Sequence, residues 1–176
     1  AENNKDYALL LSTCAGAWRY MIGDVIRFVD VEHANIIISG RTKHFLSLVG
    51  EHLSVDNMNK AIEHLSQVLD IEIPEYMVTG IPYEGTFAHQ WYLGTNKAFD
   101  VDKARKILDD KLKEVNDDYA VERISALKDV FVQAVPSEYF YEFMTQKGKM
   151  GGQNKFPRVM KSTQAEEWKS FLAGKI

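Results

Sequence analysis

The chain changes character at Ser54, and that change constrains its fold more than any other feature. Before Ser54 no segment has helical spacing. The apolar residues come instead in short bursts, Tyr7-Ala8-Leu9-Leu10-Leu11, Arg19-Tyr20-Met21-Ile22 and Asp24-Val25-Ile26-Arg27-Phe28-Val29, set apart by glycines and small residues. Short apolar runs with turn signals between them read as strands of a small sheet or partial barrel. Residues 35–40 and 44–50 supply two more strands, joined by the polar Arg41-Thr42-Lys43. Ser54 then caps a helix on whose single apolar face Met58, Ala61, Ile62, Leu65, Val68 and Leu69 recur.

From there strands and helices alternate. Residues 76–81 and 86–93, linked by Pro82-Tyr83-Glu84-Gly85, predict a hairpin. Asp100 caps a second helix with the stripe Val101, Ala104, Ile107, Leu108, Leu112 and Val115. Residues 130–135 form the next strand, and Ser137 caps a helix running to about Lys147. A Thr163-x-x-Glu166 capping box opens a last helix bearing Trp168, Phe171 and Leu172. Counted from Phe45, the order strand-helix-strand-strand-helix-strand is a ferredoxin-like split unit. The expected fold is therefore α+β: a strand segment from the end of a larger domain (residues 1–41), then a ferredoxin-like βαββαβ domain with extra helices (residues 42–176). The chain starts without Met and enters an apolar strand almost at once, which reads as a piece of a longer polypeptide.

Composition removes several function classes. At 176 residues with 45% hydrophobic and 26% charged residues, the chain can bury a core. A net charge of -4 and a pI of about 5.7 provide no positive field for a nucleic-acid backbone. No run approaches the roughly 18 apolar residues that span a bilayer. The lone Cys14 excludes an internal disulfide framework, and the cytoplasm is the expected compartment. No metal site is expected, because the five histidines have no spacing that suggests a cage. The glycines of residues 148–152 lack the arrangement of a P-loop, and Cys14 has no evident base to activate it.

Three places could carry chemistry. Asp24 follows Gly23 at the close of a strand, where a carboxylate can accept hydrogen bonds from two adjacent ribose hydroxyls. Arg41 ends an apolar strand and offers a fork of donors suited to a phosphate or to ribose oxygens. Lys155 sits in Gly151-Gly152-Gln153-Asn154-Lys155-Phe156-Pro157-Arg158, a Gly-rich loop that could deliver a cation to a reacting phosphoryl group. Taken singly, each has an ordinary structural reading: a Gly-Asp turn, a solvated arginine, a basic surface loop.

Taken in order, Thr13-x-x-Gly16-x-Trp18-Arg19-Tyr20-x-x-Gly23-Asp24, then Ser39-Gly40-Arg41-Thr42-Lys43, then Gly152-Gln153-x-Lys155-x-Pro157-Arg158 resemble the auxin-responsive acyl-acid amido synthetase family, in a bacterial-type version. Asn116-x-x-Tyr119-x-x-x-Arg123 is similar to a further segment of that family, which belongs to the adenylate-forming enzymes. The resemblance implies an ATP-dependent ligase that activates a carboxylic acid as an acyl-adenylate and passes it to an amine, commonly an amino acid. It implies ATP and Mg2+ as cofactors and an N-terminal domain of the same polypeptide as partner. By motif match, Asp24 would hold the ribose, with Trp18 and Tyr20 forming an aromatic wall. Arg41 would lie at the hinge and reach the nucleotide, Lys155 would assist adenylation, and His52 in Gly50-Glu51-His52 would stand near the nucleotide. Trp18 stands where tyrosine is usual. The phosphate loop and acyl pocket of such enzymes lie upstream, so this chain alone is expected to be catalytically silent. A second reading, a stand-alone ferredoxin-like binding or assembly module, rests on Tyr76, Trp91 and Tyr92 as exposed aromatics.

Overall fold

The computed structural model describes residues 1–41, 45–148 and 155–175. They fall into two compact units, residues 1–45 with 54–56 and residues 46–53 with 57–176. In the first unit β1 (Asp6–Leu11), β2 (Tyr20–Asp30) and β3 (Asn35–Arg41) form an antiparallel sheet in that order. The two bursts at 19–22 and 24–29, expected as separate strands, are one strand of 11 residues. Gly23 is the reason: its φ of 92° kinks the chain inside β2 without ending it. Ala8 pairs with Val25 and Leu10 with Met21, so Leu9 alone faces Ile22, Gly23 and Asp24 across a β-bulge.

This sheet has almost no core of its own. Ile26 is its one buried apolar side chain among the described residues, whereas Ile36, Ile37 and Ile38 are 48%, 48% and 71% exposed. Successive strand residues point to opposite faces, so three consecutive exposed isoleucines mean that both faces carry bare apolar surface.

The second unit is built differently. The short β4 (Phe45–Leu46) and β5 (Leu53–Ser54) pair with each other, and α1 (Val55–Leu69) follows. Then come β6 (Glu75–Tyr83), β7 (Thr86–Gly94), α2 (Val101–Val115), α3 (Asp117–Glu122), β8 (Leu127–Val135), α4 (Ser137–Gln146) and α5 (Ser162–Ala173). The hairpin turns on Glu84 and Gly85, both with positive φ, as a two-residue type I′ turn requires. β8 lies parallel to β7, giving the sheet order β6-β7-β8. The α+β class is as expected, a strand segment ahead of a unit with the ferredoxin-like element order. One component is shorter: the strand predicted over 44–50 is only β4 in the described residues. The Glu51 carboxylate takes up the backbone N–H groups of Leu48 (2.9 Å) and Val49 (3.0 Å), which therefore cannot donate to a ladder.

Helices cover both faces of this sheet. On one, Trp168 of α5 sits at the centre of a cluster with Phe140 and Phe143 of α4, Tyr92, Met77 and Phe156. On the other, Tyr76 stacks on Trp91 at 5.9 Å, and its hydroxyl donates to Asn59 of α1 at 2.6 Å. Tyr76, Trp91 and Tyr92 are thus buried, at 3%, 0% and 4% exposure, which corrects their reading as exposed and removes the motive for a binding module. Val68 and Val101, predicted on apolar stripes, lie exposed near helix ends.

The helix caps also differ in part. Asp100 caps α2 by accepting from the Lys103 N–H at 3.0 Å. Ser137 is instead the first residue of α4, after Pro136. α5 starts at Ser162, with Lys161 at the cap and no side-chain cap bond, so the Thr163/Glu166 box does not form. The preceding segment runs beside β6 through a Val78–Val159 bridge and enters the helix two residues early.

Candidate functional site

In the strand segment the motif Thr13-x-x-Gly16 is a tight turn. The Thr13 N–H donates to the Ala17 carbonyl at 2.8 Å, and the Gly16 N–H to the Thr13 carbonyl at 3.2 Å, with Gly16 at φ 95°. Beyond it the Arg19 N–H donates to Ser12 Oγ at 3.1 Å. This fixes the entry into β2 and leaves Trp18 81% and Tyr20 58% exposed. Asp24, expected to close a strand, instead occupies the bulge in the middle of β2, half-buried. A bulge re-aims the side chains it carries, so the local effect that a turn was expected to supply comes from Gly23. Across the next ladder Asp24 is the register partner of Arg41, the last residue of β3. Two expected site residues far apart in sequence are therefore neighbours. Nearby, Arg27 grips Asp6 with two bonds of 2.8 and 2.9 Å, and Ser39 Oγ donates to the same carboxylate at 2.8 Å, tying β1, β2 and β3 together.

His52 and Lys155 belong to the second unit. His52 has φ 40° and follows Gly50 at φ 118°. Its carbonyl accepts from Asn116 Nδ2 at 3.3 Å, and its ring Nδ1 lies 3.6 Å from Asp118. Lys155 is exposed and begins the described segment that leads into α5; residues 149–154, including Gly151 and Gly152 of its loop, lie outside the described residues.

Sequence reasoning missed the polar interior of this unit. Glu51 and His89 are both fully buried, with His89 Nε2 3.0 Å from Glu51 Oε1. Burial opposes ionisation of Glu51, but the hydrogen bond from His89 and the backbone N–H groups outweighs it and pulls its pKa to about 2. Burial holds the His89 pKa below its ordinary value despite the carboxylate, so the pair is a neutral imidazole donating to an ionised carboxylate. The His89 ring also contacts Tyr119 at 5.8 Å.

Tyr119 in turn donates to Asp109 at 2.6 Å. Arg123 holds that carboxylate through Nε at 2.8 Å and Nη2 at 3.1 Å, and Lys113 adds a bond of 2.8 Å. Burial works against the Asp109 charge, but these bonds keep its pKa below the usual carboxylate value. The Asn116-x-x-Tyr119-x-x-x-Arg123 motif is thereby explained. Asn116 caps α3 by accepting from the Tyr119 N–H at 2.7 Å, and the other two residues close on Asp109. One signal for the network was available: His89 shares a strand face with Trp91 and Leu93, which turns it inward once Trp91 is read as buried.

A cleft of about 740 Å³ lined by Ser66, Asp70, Glu72, Thr95, Lys97 and Ser137 contains none of the expected site residues. Among the described residues no helix is long and apolar enough to cross a membrane.

The fold defines a class first: antiparallel strands of one domain leading into an α+β domain of another. The GH3 family central domain matches residues 1–38 and the GH3 family C-terminal domain matches residues 56–164. The chain belongs to the GH3 family, the auxin-responsive family its motifs resemble. No curated protein matches it. Among solved structures, GH3.15 acyl acid amido synthetase is similar at a TM-score of 0.76 and 21% identity, over 99% of this chain and 34% of that one. AtGH3.15 acyl acid amido synthetase in complex with 2,4-DB is similar at 0.71 and 22%, over 98% and 33%. At such identity the likeness is one of fold. The chain spans about a third of the length of these two proteins.

Proposed function

We propose that the protein containing this chain is an ATP-dependent acyl-acid amido synthetase, of which residues 1–41 end the large domain and residues 42–176 form the C-terminal domain that turns about the hinge. The observation that carries this reading is the ordered match of GH3 central and C-terminal domains along the chain. In the first step a carboxylate oxygen of the acid attacks the α-phosphorus of ATP, and the bond to the bridging oxygen breaks to release pyrophosphate. In the second the amine nitrogen, from an amino acid, attacks the acyl carbon; AMP leaves and the nitrogen loses a proton.

In this scheme Asp24 accepts the ribose hydroxyls, supported by its place in the bulge beside Arg41, which reaches the nucleotide from the hinge. The exposed rings of Trp18 and Tyr20 form the aromatic wall. Lys155 places its ammonium where charge develops on the phosphates, and His52 stands near the nucleotide. Mg2+ enters with ATP. Among the described residues no group of three or more His, Cys, Asp or Glu could hold a metal, so none is assigned to it. The apolar faces of the β1-β2-β3 sheet are covered by the preceding domain of the same polypeptide, and the enzyme works in the cytoplasm.

The test is pyrophosphate exchange into ATP by the full-length protein with a panel of carboxylic acids. Acid-dependent exchange, lost by at least 100-fold in Lys155→Ala and weakened in ATP affinity in Asp24→Asn, is the expected result. Absence of exchange with every acid overturns the reading.

A further inference from the structure

Lys155 stands at the end of a rigid pedestal, although it is itself exposed. The next residue, Phe156, is 7% exposed, its ring 4.8 Å from Phe140, 5.4 Å from Trp168 and 6.1 Å from Phe143. Beyond Pro157 the backbone joins the outer edge of β6. The Val78 N–H donates to the Arg158 carbonyl at 2.9 Å, the Met160 N–H to the Val78 carbonyl at 3.0 Å, and Thr79 Oγ1 to the Met160 carbonyl at 2.9 Å. These bonds centre on one isolated bridge, which by itself leaves the segment free to twist about Val78.

Arg158 removes that freedom. Its Nη1 donates to the Glu75 carboxylate and, at 3.2 Å, to the Tyr76 carbonyl, while its guanidinium lies 4.4 Å from the centre of the Tyr76 ring. Tyr76 is pinned from behind by its bond to Asn59. The clamp thus grips β6 two to three residues from the bridge, on the side toward which Lys155 runs. With side chains 27% and 18% exposed, Arg158 and Glu75 form a pair at the edge of solvent, where an ion pair adds little to stability. Its contribution is orientation: a planar guanidinium held at three points fixes direction in a way that a lysine cannot.

We infer that Arg158 and Glu75 are positioning residues that aim Lys155 at the phosphates during adenylation. The inference rests on the reading of Lys155 under Proposed function. Neither residue touches substrate in this account. Both act through the direction of the backbone at Lys155, and a misplacement on the order of 1 Å can cost ~100-fold in rate.

The experiment measures the two half-reactions of the full-length protein separately: pyrophosphate exchange into ATP, and transfer to an amino acid from a supplied acyl-adenylate. Arg158→Ala is expected to lower kcat for exchange about 10- to 100-fold, with KM for ATP little changed and acyl transfer retained. Arg158→Lys, which keeps the charge but loses the fork, should recover part of that loss. Glu75→Gln should show the same selective defect more weakly, and it serves if Arg158→Ala does not fold. Equal losses in both half-reactions, following the melting temperature, mean a merely structural clamp and overturn the inference, as does unaltered exchange in Arg158→Ala and Glu75→Gln. Exchange that survives Lys155→Ala brings down the underlying reading instead. Loss in Lys155→Ala with none in the two clamp variants leaves that reading standing and rejects the clamp.

Discussion

The two units of this chain spend their apolar residues in opposite ways. In the second unit Trp91 and Trp168 are 0% exposed, with helices on both faces of the sheet. In the first, a sheet of similar strand number buries only Ile26 among its described apolar side chains and leaves Ile36, Ile37 and Ile38 bare. The two ladders satisfy the backbone and a bidentate Arg27–Asp6 side-chain pair ties the strands, but neither removes apolar surface from water, which is the dominant favourable contribution to folding. Local order and independent stability are separate properties, and the two halves of one chain display the difference.

The sharpest way to break this comparison is to make the same substitution in both units. Trp168→Ala should destabilise the second unit by about 3–5 kcal/mol in a urea titration. Trp18→Ala, at an exposed position, should change the unfolding of the chain by no more than about 0.5 kcal/mol. Equal effects would show that the units do not differ as their burial indicates. Slightly smaller is Arg123→Ala, which leaves the buried Asp109 with Lys113 and Tyr119 alone and should cost about 3 kcal/mol by the same titration.

Acid separates the units through the second one's buried pair. The folded pKa of Glu51 lies below its unfolded value and that of His89 is also lowered, so in both cases the unfolded state binds more protons. Stability therefore falls as pH drops below the ordinary histidine range, and falls further from the ordinary glutamate range toward about 2, where Glu51 protonates in the fold. His89→Gln should abolish the first part of that loss while leaving the second, as read by melting temperature against pH. In the strand segment Gly23→Ala, strained at φ 92°, should cost about 1–2 kcal/mol, less than either loss in the second unit, seen as faster amide exchange in β1 and β2 with β6 to β8 unchanged.

What the sequence revealed follows the reach of each interaction. α2 was legible because Asp100 and the Ala104, Leu108, Leu112 stripe act within a few residues, and so was the hairpin through Glu84-Gly85. Gly23 misled, since a glycine that interrupts period-2 alternation looks the same whether it ends a strand or bulges it. Tyr76, Trp91 and Tyr92 misled because a sheet covered on both faces buries consecutive residues, and the covering helix α5 lies far downstream. Asp24 and Arg41 could be named from their motifs, yet their cross-strand pairing depended on a register shift between Val25 and Ile26 in the β2–β3 ladder. Glu51 and His89, 38 residues apart, meet only through tertiary packing.

The placement of the three tryptophans also makes the chain its own optical reporter. Trp91 and Trp168 are sealed in apolar surroundings with their indole N–H groups unpaired, which should give blue emission shielded from aqueous quenchers. Trp18, open to water, should emit to the red and be reached by iodide or acrylamide at once. Anything that covers Trp18 would then be visible as a change in one spectral component, without a label.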